Sequence, residues 1–80
     1  MILKIDSAVS VRINPASGDR APSVVLDLLG GSLWFPRDAC PSSLSEGCKK
    51  CADVELSARN VRIGERTRTV FVPVRLVSVG

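Results

Sequence analysis

Cys48-Lys49-Lys50-Cys51 holds the spacing in this chain that chemistry uses most directly. A C-x-x-C pair lets one tight turn aim two sulfurs at a single metal ion. Cys40 lies upstream in the same polar stretch, and the loop could fold back to add a third thiolate. With no histidine in the sequence, a zinc site on Cys40, Cys48 and Cys51 would need Asp38, Glu46, Asp53 or a second subunit's cysteine as its fourth ligand. Strong structural zinc sites show four clear ligands, so free thiols in a loop are the plainer account. Redox use of the pair would want a strand-to-helix start in an α/β fold, and that context is missing.

The second cluster is basic. Arg59, Arg62, Arg66, Arg68 and Arg75 fall near the C-terminus, opposed by Glu65 alone. On a strand Arg66 and Arg68 share a face and could grip phosphates side by side. The formal net charge of +3 is mild for a dedicated nucleic-acid binder. Stacking platforms are scarce, because Trp34 and Phe35 are adjacent and at most one can be exposed on a strand. A solvated strand face is the blander reading of the arginines.

Other chemistry finds little support. Ser42, Ser43 and Ser45 have no histidine to activate them, and Asp53 and Glu55 read as a solvated pair on a strand face. Gly30-Gly31 lacks the lysine and spaced glycines of a phosphate loop. Val25 to Gly31 faintly resembles the Asp-x-Ser-x-x-Gly turn of PilZ domains, β-barrel receptors for cyclic di-GMP. The motif's serine, its spacing and the arginine-rich motif before it are absent, so the likeness assigns neither family nor ligand.

The elements that must position these residues are β-strands. Eleven valines and four isoleucines outweigh eight leucines, and β-branched side chains suit a pleated surface better than a helix. Met1, Leu3, Ile5, Val9, Val11 and Ile13 alternate with polar residues through position 14, a strand pattern with a break near Asp6-Ser7. Asn14-Pro15-Ala16-Ser17-Gly18-Asp19 reads as a turn. Residues 23–29 fit either a short helix capped by Ser23 or a hairpin that turns at Gly30-Gly31 into Ser32–Phe35; adjacent valines and the aromatic pair favour the hairpin. Residues 36–50 form a long polar loop, with one helical turn expected over Pro41–Gly47. Strand pattern returns from Cys51, with a parity shift near Asn60 that a bulge would absorb, then a turn at Gly64-Glu65-Arg66. Thr67–Val79 is the longest strand, with Val70, Val72, Val74 and Leu76 on its core face. Pro73 demands a bulge or an edge position.

These readings predict one all-β domain over residues 1–80. It is a small barrel or sandwich of five to six short antiparallel strands, with a Cys-containing loop and at most one short helix. No apolar run spans a membrane and no signal-peptide core is evident, so a cytoplasmic setting with reduced cysteines is expected. The expected function is a non-enzymatic binding or assembly module that forms a homo-oligomer through Phe71, Val77 and Val79, side chains an 80-residue domain has little left to cover. The alternative is a nucleic-acid-binding module that uses Arg59, Arg62, Arg66 and Arg68.

Overall fold

Period-2 alternation at the N-terminus becomes two strands, because the chain breaks around Asp6-Ser7: β1 (Ile2–Ile5) and β2 (Val9–Asn14). The computed structural model describes residues 1–80. The ambiguous middle segment is a hairpin, β3 (Ser23–Leu28) and β4 (Gly31–Pro36), paired from Ser23↔Pro36 to Leu28↔Gly31. Its turn therefore falls on Leu29-Gly30, one residue earlier than the glycine pair suggests, and leaves Leu29 fully exposed.

The expected helical turn at Pro41–Gly47 is absent. A 3₁₀ turn forms earlier, at Arg37–Ala39. Arg37 then pins the following loop, with Nη1 donating to the Pro41 carbonyl at 2.8 Å and Nη2 to the Ser42 carbonyl at 3.1 Å. The Leu44 N–H donates to Pro41 O at 3.1 Å, and this single turn drops the Leu44 side chain into the core. Within the remaining loop the chain forms a short strand that sequence patterning did not reveal, β5 (Gly47–Lys49), which lies against β2. Two long strands follow, β6 (Ala52–Ile63) and β7 (Arg66–Val79), so there are seven strands rather than five or six.

The strands make two open antiparallel sheets, ordered β1-β6-β7 and β4-β3-β2-β5, and the architecture is a sandwich rather than a closed barrel. Val9, Val11, Val24, Leu26 and Phe35 of the four-stranded sheet meet Ala52, Val54 and Leu76 of the three-stranded one, with Leu44 closing the side. Trp34 and Phe35 divide between the faces as alternation requires: Phe35 is 2% exposed in the core and Trp34 is 63% exposed outside. On that outer face Val25 lies between Arg12 and Trp34 in the register and is fully buried. Arg12 bonds Asp27 through Nε at 2.6 Å, and Ser32 Oγ donates to the same carboxylate at 2.6 Å. Those two donors hold the Asp27 carboxyl below the ordinary carboxylate range.

Pro73 is accommodated as expected, on an edge strand next to a bulge. The bulges lie elsewhere than near Asn60. Register shifts fall between Asp53 and Val54 and between Glu55 and Leu56, which leaves Val77 and Val74 of β7 without direct partners. Each extra residue reverses the parity of the strand. Val79, Leu76 and Pro73 consequently oppose Ala52, Val54 and Leu56 on the inner face, whereas Arg75 bonds Glu55 on the outer face at 2.9 Å. The expected core row of Val70, Val72, Val74 and Leu76 therefore does not form. Leu76 alone of the four is buried, and Val74 is exposed.

Candidate interface on the β6–β7 arm

β6 and β7 outrun the sandwich. β1 pairs with β6 only from Ala52 to Glu55, while the β6–β7 ladder runs on to Ile63↔Arg66. At about 3.3 Å per residue the distal part of this hairpin, residues 57–72, projects roughly 20 Å as a two-stranded arm. Gly64 turns its tip with φ +63°, the positive value a type II′ hairpin turn needs at its first central residue. Every residue from Ser57 to Thr69 is exposed.

Directly opposed residues share a face, so register assigns both surfaces of the arm. One face continues the solvent side of its sheet and carries the pairs Ile63·Arg66, Val61·Arg68, Arg59·Val70 and Ser57·Val72. The other continues the core side beyond the point where the second sheet stops, and carries Arg62·Thr67, Asn60·Thr69 and Ala58·Phe71. Ile63 is 59% exposed and Phe71 is 54% exposed. Four arginines and one glutamate lie in residues 57–72, which gives the arm the whole formal charge of +3; the seven basic and seven acidic residues elsewhere balance. The ion pairs of the molecule are Arg12–Asp27 and Arg75–Glu55, so Arg59, Arg62, Arg66 and Arg68 have no carboxylate partner. The arm thus joins the arginine cluster to a set of exposed aliphatic side chains. Of the side chains expected to mediate self-association, Phe71 is on the arm and exposed, Val77 is the half-buried bulge residue at its base, and Val79 packs against the core. Val79 is therefore withdrawn from that set.

The three cysteines are free and sit in different settings. Cys40 follows the 3₁₀ turn, packs against the core and directs its Sγ to Pro36 O at 3.5 Å. Cys48 is exposed on β5 opposite Ser10. Cys51 lies between β5 and β6 against the C-terminal Gly80. No group of three or more cysteine and carboxylate side chains is gathered as a metal cluster. Burial pushes the Cys40 thiol up from its ordinary pKa. Cys48 and Cys51 are therefore expected to alkylate first with iodoacetamide at pH 8, with Cys40 lagging severalfold. Peptide mass mapping over time would show this, and equal rates at all three would contradict the placement of Cys40.

An open groove of about 450 Å³ lies at the other end of the four-stranded sheet, between the β2–β3 turn and Trp34. Asn14, Ser17, Arg20 and Ser23 line it beside the indole, and no carboxylate or thiol does.

Reading the sequence alone missed exposed Val61 and Ile63, and half-buried Val70 and Val72, as neighbours of the arginines on one face of the arm. A signal was present: polar residues recur on both faces of the two strands around Gly64, with Asn60, Arg62, Thr67 and Thr69 on one and Arg59, Arg66 and Arg68 on the other, a pattern suited to a surface ribbon rather than a half-buried strand.

Fold and site together define a small two-sheet β-sandwich that carries a basic, aliphatic ribbon arm. No protein-family model matches the chain, and neither the curated proteins nor the solved structures include a significant match. No helix is long and apolar enough to cross a membrane.

Proposed function

We propose that the chain is a non-enzymatic binding and assembly module that self-associates, with the β6–β7 arm as its contact element. The observation that carries this reading is the arm itself. A ribbon with exposed Val61, Ile63 and Phe71 and no opposing sheet gains nothing from the domain's own core, and surfaces of this kind are resolved by a partner. Free thiols at Cys40, Cys48 and Cys51 fit a reducing, cytoplasmic setting. Sedimentation velocity of the parent across the micromolar range should show a concentration-dependent dimer or larger species. Phe71→Asp should move it toward monomer with little loss of thermal stability, because Phe71 lies outside the core. A parent that stays monomeric at high micromolar concentration would remove the proposal.

A second reading rests on a separate observation, the confinement of the net charge to the arm. Four unpaired arginines on a ribbon narrow enough for a nucleic-acid groove fit a polyanionic partner.

A further inference from the structure

We infer that the distal half of β7, Arg66–Val72, pairs antiparallel with the same segment of a second copy about a twofold axis at Thr69. Two arms would thereby merge into one four-stranded sheet. This rests on the self-association reading above and names the strand edge that performs it.

β7 is an edge strand along its whole length. Its proximal half carries the features that discourage edge pairing, Pro73 and the register shifts beside Val74 and Val77. The distal half has neither. Its ladder to β6 runs unbroken from Ser57↔Val72 to Ile63↔Arg66, so the backbone groups on its far side form a regular, unpaired row. The distal edge of β6 is a poorer choice. There the next lane is occupied, because the Leu56 N–H donates to Met1 O at 2.7 Å and β1 follows. A partner hairpin laid along β6 would run its tip into the N-terminus, whereas the lane beside β7 is open.

Side-chain register selects the axis. About Thr69, Arg68 faces the partner's Val70, Arg66 faces the partner's Val72, and Thr67 faces the partner's Phe71. Every arginine then lies across from a valine that its aliphatic stem can cover, and no like charges are opposed. An axis at Arg68 would set that arginine against itself. An axis at Val70 would bring Pro73, which has no N–H, opposite Thr67. Thr69 is also the midpoint of the proline-free segment, so this register uses all of it.

The test combines two measurements. In sedimentation equilibrium, the V70K/V72K double variant places each new lysine opposite an arginine of the partner, and dimerisation should weaken about tenfold or more. In a background with Cys40, Cys48 and Cys51 replaced by serine, T69C should form a disulfide-linked dimer rapidly under mild oxidation. Residues on the axis of an antiparallel pair have Cα atoms about 4.5–5.5 Å apart, inside disulfide reach. T67C, displaced from its own copy by four residues, should not cross-link. A dimer that persists in V70K/V72K, with T69C and T67C alike unlinked, would overturn the edge pairing and leave self-association standing. A monomeric parent would remove both. Circular dichroism of the serine background checks its fold, and the lysine variant needs no such background.

Discussion

Phe35→Ala is expected to cost about 3–5 kcal/mol, the usual loss for truncating a buried phenylalanine. A chain of 80 residues has in total only about 4–12 kcal/mol, at roughly 0.05–0.15 kcal/mol per residue. Phe35 is among the largest of the fully buried side chains, and from the edge strand β4 it packs into a core of nine residues shared by the two sheets. The cavity it leaves cannot collapse easily, because valines on β2 and β3 are held by their ladders. Urea titration followed by far-ultraviolet circular dichroism should show the variant largely unfolded, or with its midpoint near zero denaturant. Trp34→Ala, one residue away, removes a larger side chain from the solvent face and should cost much less. A pair of equal midpoints would mean that the two sheets do not pack as described.

Simultaneous replacement of Arg59, Arg62, Arg66 and Arg68 by alanine should abolish whatever affinity the protein has for nucleic acid. Each phosphate contact contributes about −0.9 to the slope of log affinity against log salt on duplex DNA, so four give roughly −3 to −4. Over a fourfold rise in salt, affinity should then fall by about two orders of magnitude for the parent. The variant should show no binding above background at any salt concentration. Arg12→Ala and Arg75→Ala serve as controls, since both arginines are committed to carboxylates of their own sheet, at 2.6 and 2.9 Å. Fluorescence anisotropy with labelled duplex and single-stranded oligonucleotides would decide the matter. No binding by the parent at low salt removes the nucleic-acid reading, and equal binding by the fourfold variant removes the arm from it.

What the sequence determined by itself was the strand character of the longer elements and, on β1, β2 and β4, the division of their faces. Alternation through residues 1–14, with the break at Asp6-Ser7, became β1 and β2. Adjacent Val24 and Val25, followed by Trp34-Phe35, became a hairpin with one aromatic inside and one outside. Pro73 announced an edge or a bulge, because a residue without an N–H cannot complete a ladder on both sides, and the structure has both. The short β5 and the position of Leu44 were not legible, since a strand of three residues in a polar loop has no period to read.

Only the tertiary structure decided which strand faces are covered. The period of two states that Val70 and Val72 share a side, but it carries no information about whether a second sheet lies over that side. Two bulges reverse the parity of β7 at its base, so Leu76 and Val79 turn inward while the valines of the distal half do not. β1 ends its pairing at Ile2↔Glu55, and the core ends with it. Beyond that point the same two strands, β6 and β7, become an exposed arm, because burial depends on where the opposing sheet stops and the local sequence does not encode that distance.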